Sequence, residues 1–239
     1  MPLLALHGVH KSYGALKVTD DISLAVEAGE TLGILGPNGA GKTTLFNLIS
    51  GDVRCDGGRI EFDGKDIVAM RPHQRCRAGI GRSYQVPQPF GHMTVFENLV
   101  TAACFGAGES ERVAWDTARG VLGQTGLLAQ ANTLAGRLTL LDRKRLELAR
   151  ALATRPTLLL LDEIAGGLTE HEAAELIREL RRIKAKGMTM IWIEHVVHAL
   201  VALADRLFII NFGQQLAEGE PRAVMADPEV RRVYMGLDA

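Results

Sequence analysis

"GPNGAGKTT", Gly36–Thr44, is the stretch on which the reading of this chain turns. It satisfies the pattern G-x-x-x-x-G-K-[ST] and lies between an apolar run, "TLGILG", and a helical stretch, "KTTLFNLISG", whose closing Gly51 reads as a helix C-cap. A strand feeding a glycine-rich turn and then a helix is an arrangement suited to phosphate. Gly36, Gly39 and Gly41 permit tight, partly left-handed backbone, so that successive N–H groups point inward around phosphate oxygens. The helix N-terminus beyond adds its positive dipole. Pro37, Asn38 and Ala40 complete the loop and Thr44 follows it into the helix. Lys42 is then placed to reach the β and γ phosphates, and the Thr43 hydroxyl to ligate Mg²⁺. Nucleotide binding is the expectation.

A phosphate cradle needs a metal partner, and "TLLLLDE" supplies one where four leucines end in Asp162 and Glu163. An apolar strand running up to an acidic pair puts Asp162 in position to hold hydrated Mg²⁺, while Glu163 orients or deprotonates the attacking water. By itself such a pair is more often a solvated turn; the glycine loop reverses that weighting.

The pattern around these motifs predicts an α/β fold. Short β-rich runs over 5–35 and 59–67, with the turn signals "EAGE" and "FDGK", suggest an antiparallel layer. From 89 to 151 the period is mainly helical. Two buried strands follow, "TLLLLDE" and "MTMIWIEH", separated by the amphipathic helix "EHEAAELIRELRRIKAKG" and succeeded by a hairpin, "RLFIINFGQQLAEG". Buried strands alternating with helices imply a mostly parallel sheet. The chain is therefore read as 1–88, the first part of a nucleotide-binding core; 89–151, an inserted helical subdomain; and 152–239, the rest of the core.

Composition narrows the partners. Across 239 residues, 27 Lys+Arg against 28 Asp+Glu leave a net charge of −1, so no basic field draws the chain to nucleic acid. Cys55, Cys76 and Cys104 are odd in number and widely spaced, which suits reduced thiols. "MPLLALHGVHKSYG" lacks a secretory pattern. The apolar region "MTMIWIEHVVHALVALADRLFII" is broken by Glu194, His195, His198, Asp205 and Arg206, short of the roughly 20 apolar residues of a membrane span.

With these residues in place the chain resembles an ATP-binding subunit of an ABC transporter, a P-loop NTPase with a RecA-like core, over almost its entire length. The resemblance implies ATP and Mg²⁺ as ligands. It implies that Tyr13, in "HKSYGA", stacks on adenine, the alternative being a tyrosine of a strand core. It implies that Gln85, in "GRSYQ", touches Mg²⁺ and the water, and that His195, after "MIWIE", contacts the γ phosphate. Gly167–Thr169 falls where the family's dimer-crossing loop lies, with Thr169 in place of the usual Asp or Asn and Ile164 in place of a common proline. Within the family, "GIGRSYQVPQPFGHMTVFENL", "NFGQQLAEGEP" and "DPEVRRVYMG" are similar to an ATPase of branched-chain amino acid importers, with the ATPases of lipopolysaccharide export and of urea or amide import as close alternatives. The implied partners are a second ATPase subunit, two membrane permease subunits, one of which docks near Gln85, and, indirectly, a periplasmic binding protein. The implied location is cytoplasmic, on the inner face of the plasma membrane. The rival reading is a soluble or regulatory ABC-type ATPase that is not coupled to transport.

One segment departs from the family. Aligned through "RKRLELARAL", the signature usually read L-S-G-G-Q is here Leu138, Thr139, Leu140, Leu141 and Asp142. Thr139 keeps the hydroxyl and with Asp142 suggests a capping box. Leu140 stands where the subgroup varies, but Leu141 replaces a glycine that lets backbone N–H approach phosphate. Asp142 sets a carboxylate against phosphate charge, at a cost of about 1 to 4 kcal/mol at 4 Å, which Arg143, Lys144 and Arg145 are placed to offset. The segment reads either as a well-capped helix on the subdomain surface or as a working signature, and the second ATPase subunit as a different chain or a copy of this one. The hypothesis is a heterodimer, in which this chain's glycine loop works with a partner's intact signature and its own weak signature serves the other site.

Overall fold

A computed structural model describes residues 1–235, so Gly236, the last residue of "DPEVRRVYMG", lies outside the described residues. Packing divides the chain into two units, Met1–Pro72 with the chain from Thr189 onward, and His73–Met188. Residues 89–151 lie wholly within the second.

The first unit opens with β1 (Leu4–Tyr13), β2 (Leu16–Val26), β3 (Thr31–Leu35), α1 (Lys42–Ser50), β4 (Gly57–Phe62) and β5 (Lys65–Asp66). Four of these strands form an antiparallel sheet in the order β2-β1-β4-β5, the layer expected from the early β-rich runs. In β2, Ile22, Leu24 and Val26 are buried and alternate with exposed neighbours, so the sheet covers a core on one face. β3 is buried throughout. That is the signature of a strand covered on both faces.

The second unit contains α2 (Pro72–Ala78) from its second residue on, β6 (Ile80–Ser83), α3 (Val95–Ala102), α4 (Glu111–Gln124), α5 (Leu140–Ala153), β7 (Leu158–Asp162) and α6 (Glu170–Lys184). β6 and β7 pair in parallel, Ser83 opposite Leu161, and the helices α3 to α5 are inserted between them as the sequence pattern suggests. α3 and α6 each start at a full capping box, Thr94 with Glu97 and Thr169 with Glu172. The apolar stripe Leu176, Ile177, Leu180 and Ile183 gives α6 its buried face.

The first unit resumes with β8 (Thr189–Ile193), α7 (Val197–Leu203), β9 (Arg206–Asn211), β10 (Gln214–Gly219), α8 (Pro221–Ala226) and α9 (Pro228–Met235). Its strands run β10-β9-β3-β8, with β3 parallel to both β8 and β9. β9 and β10 make the expected hairpin, turning through Phe212 and Gly213 at positive φ. The glycine-rich loop leaves the C-terminal end of β3, where open α/β sheets hold their ligands. Among the described residues no helix is long and apolar enough to cross a membrane. All three cysteines are free thiols.

Candidate nucleotide site

In the first unit the loop Gly36–Gly41 joins β3 to α1. Gly39 and Gly41 take left-handed backbone, φ 80° and 106°. Gly36 does not, and its glycine is explained by crowding instead: a β-carbon there would lie 2.2 Å from the Ile210 carbonyl oxygen. At Gly41 a β-carbon would meet the Val18 carbonyl at 2.3 Å. The loop is thus held against β9 and β2 by positions that accept no side chain. Lys42 is buried and donates from Nζ to the carbonyls of Gly36 at 2.7 Å and Pro37 at 2.9 Å, so its ammonium sits inside the curl of the loop. Thr43, one residue on, is exposed. Gly51 closes α1 in left-handed conformation, donating to Asn47, as its sequence position suggests.

Tyr13 ends β1 with half its surface exposed, and the Lys11 ammonium lies 5.5 Å from its ring centroid. An exposed ring at a strand end is not part of a strand core. His195 is also exposed, and its N–H donates to the carboxylate of buried Glu194 at 3.1 Å.

The second unit gathers the acidic pair and Gln85. Asp162 closes β7 and pairs with Arg82 of β6 at 2.9 Å, both side chains almost fully buried. The parallel register puts these residues on adjacent strand ends, and the Arg82 guanidinium also lies over the Tyr84 ring. Gln85 Nε2 donates to Glu163 Oε2. Glu163 has φ 45°, sparsely populated for a residue with a side chain.

The signature segment differs from its sequence reading in three respects. Thr139 does cap α5, accepting from the Asp142 N–H at 3.2 Å, but the reciprocal half of the box is not made: Asp142 instead accepts from Arg145 at 3.3 Å. Aspartate is one methylene shorter than the glutamates that complete the boxes of α3 and α6. Leu141 is buried, so its side chain packs inward, and it is Leu140 that is exposed, near Gly167. Of the three basic residues placed to offset Asp142, Arg145 pairs with it, while also binding Glu175 and Glu179. Arg143 donates to the Gly136 carbonyl, and Lys144 points to Gln85 and Glu163.

Arg82, Glu147 and Arg150 were not singled out from the sequence. Glu147 accepts from Arg150 at 3.0 Å; burial pushes its carboxyl above the usual range, against the pull of Arg150. The signal available was spacing, since Lys144, Glu147 and Arg150 recur every third residue. Arg82 carries no such mark, because its partner is 80 residues away. Among the described residues no cluster of three or more His, Cys, Asp or Glu is placed to hold a metal.

Comparison with known proteins identifies the family. The family model described as "ABC transporter" matches residues 19–166, and one described as "Branched-chain amino acid ATP-binding cassette transporter" matches 214–239. A "Probable ABC transporter ATP-binding protein" of Azorhizobium caulinodans is 38% identical, with 98% of this chain and 83% of that protein covered. The "High-affinity branched-chain amino acid transport ATP-binding protein LivG" of Salmonella typhimurium is 36% identical, with 98% of each covered. Among solved structures, a nucleotide-free ATP-binding cassette from an ABC transporter superposes with a TM-score of 0.89 at 33% identity, covering 99% of this chain and all of that one. A loop shaped for phosphate, a family match over more than half the sequence and relatives that align end to end place the chain in the ABC transporter family, as one of the ATP-binding cassettes that hydrolyse ATP to power transport.

Proposed function

We propose that this cassette drives an importer of branched-chain amino acids. The observation that carries this reading is the match of residues 214–239 to the branched-chain cassette model, supported by LivG and BraF relatives aligned over their full lengths. A lipopolysaccharide export ATP-binding protein of Haemophilus influenzae is 34% identical, so export is the reading to be tested against.

In this proposal the curl of Gly36–Thr44 holds the phosphates of ATP, Lys42 turns from its loop carbonyls toward them, and Tyr13 stacks on adenine. The oxygens of Thr43, Asp162 and Gln85 suit a hard cation, and Mg²⁺ supplies charge neutralisation of the phosphates when bound. Glu163 takes the proton of the attacking water, Gln85 orients that water, and His195 reads the γ phosphate. Residues 89–151 act as the helical subdomain that presents Thr139–Asp142 to a second cassette. ABC cassettes work as dimers with transmembrane partners, here two permease subunits that keep this chain peripheral on the inner face of the plasma membrane. ATP bound by both subunits favours the closed dimer, and hydrolysis releases it.

The test is reconstitution with the membrane subunits and binding protein of a branched-chain amino acid importer. Leucine, isoleucine or valine should stimulate ATP turnover and enter the vesicles. Stimulation by urea, short amides or lipopolysaccharide alone would reassign the substrate. Purification without any membrane partner would favour a soluble or regulatory ATPase.

The exposed Leu140 and the carboxylate of Asp142 on the first turn of α5 support a second element of the reading, a heterodimer in which this chain's loop meets another subunit's intact signature.

A further inference from the structure

Helix α5 meets the segment after β6 along a single face. Lys144, Glu147 and Arg150, spaced by three, form one row on the helix. Lys144 Nζ donates to the Gln85 carbonyl at 2.6 Å and to the Glu163 carbonyl at 3.3 Å. Glu147, buried between them, accepts from Arg150 at 3.0 Å. Arg150 donates to the Gln88 carbonyl at 2.9 Å, and its guanidinium lies 5.2 Å from the Phe90 ring centroid. The row therefore grips the segment at Gln85, Gln88 and Phe90.

Lys144 is only 3% exposed. An ammonium is a compact, strongly hydrated charge, and burying one is costly unless its donors are used. Here they reach the main chain of the two residues whose side chains also meet, Gln85 and Glu163. The three residues thus close a ring, in which Lys144 fixes two backbones and the Gln85 amide fixes the carboxylate. Glu163 adds the reason such a clamp is needed. A non-glycine residue at φ 45° stays there only where its surroundings hold it.

We infer that Lys144 is a positioning residue for hydrolysis: from the helix whose first turn is the signature segment, its ammonium sets the backbones of Gln85 and Glu163. Displacement of that turn by nucleotide on the partner subunit is then transmitted, two residues along α5, to the pair that handles water. This rests on the proposed role of Glu163 in activating water.

The experiment compares Lys144→Met, Lys144→Arg and Glu163→Gln in the purified full-length chain. Turnover at saturating Mg-ATP is measured for each, together with the affinity for a fluorescent ATP analogue in Mg²⁺ and in EDTA. Lys144→Met should lower kcat on the order of 10- to 100-fold, the scale of small misplacements of reacting groups, with a much smaller change in KM. Its affinity in EDTA should match the parent, because the glycine loop is intact. Its gain in affinity on adding Mg²⁺ should shrink, because Gln85 is displaced. Lys144→Arg should restore part of kcat. If Glu163→Gln abolishes turnover while Lys144→Met keeps it, the inference about Lys144 is overturned. A Lys144→Met variant that loses kcat yet keeps the full Mg²⁺ gain, with no recovery in Lys144→Arg, also overturns it, since packing alone then explains the loss. Retained turnover in Glu163→Gln instead overturns the role of Glu163. Should Lys144→Met not fold, Lys144→Gln is judged by the same criteria.

Discussion

At the scale of a single residue, the proposed hydrolysis rests on Glu163. Its carboxylate receives the Gln85 amide, and its backbone is in a conformation that residues with side chains seldom adopt. Glu163→Gln keeps the shape and removes the proposed base. Turnover should fall by at least about 100-fold, the scale of general-base catalysis, while ATP binding persists and the dimer stays closed. Phosphate release and gel filtration with ATP check both halves; loss of ATP binding as well would mean that Glu163 holds the ligand instead. Much of this site was legible beforehand. The glycine loop and the acidic pair announce themselves because their chemistry is local in sequence. Arg82 does not, since a buried ion pair between strands depends on the register of β6 against β7, which no local pattern encodes.

Individual elements show where local rules stop. The first turn of α5 reads in sequence as a capping box with an intruding leucine, but the helix turns Leu141 inward and gives Asp142 to Arg145. Helix phase, set by the buried Leu146, Leu148 and Leu152 further along, decides which signature residue faces out. Restoring glycine at Leu141 is then a core truncation that costs about 2 to 5 kcal/mol, with a further ~1 kcal/mol for glycine in a helix. Asp142→Gln is the cleaner variant. It removes the carboxylate and lengthens the side chain toward the Thr139 N–H, so homodimer turnover should rise up to roughly 10-fold while Tm is held or raised. Unchanged turnover would show that Asp142 does not limit the signature.

The completed capping boxes have their own consequence for pH. Backbone and hydroxyl donation from Thr94 holds the Glu97 carboxyl below its usual range, and Thr169 does the same for Glu172. A lowered folded-state pKa contributes stability above the ordinary carboxylate value of about 4.3 that is lost as pH falls through the lowered one. A Glu97→Gln, Glu172→Gln double variant should therefore melt below the parent at neutral pH and approach it in acid. Melting curves across that range check the sign; a constant gap would mean that these carboxylates do not titrate with folding.

For the molecule as a whole, each unit carries half of the proposed chemistry. The glycine loop, Tyr13 and His195 belong to one; Gln85, Asp162, Glu163 and the signature belong to the other. The α/β plan was readable because strands, helices and turns each kept their own period. The two packing units were not, because β6, β7 and α6, read as parts of the core, group with the inserted helices. The altered signature predicts that the purified chain alone turns ATP over slowly and speeds up when a cassette with an intact signature is added. Fast turnover by the chain alone would remove the case for a heterodimer.

The crowding at Gly36 and Gly41 bears on how this cassette can be dissected genetically. Any side chain at either position collides with main chain of β9 or β2 before a ligand is considered. A strain carrying such a substitution would lose transport through misfolding, and its phenotype would be silent about phosphate. Lys42 and Thr43 are the informative alleles, since neither is fixed by that collision.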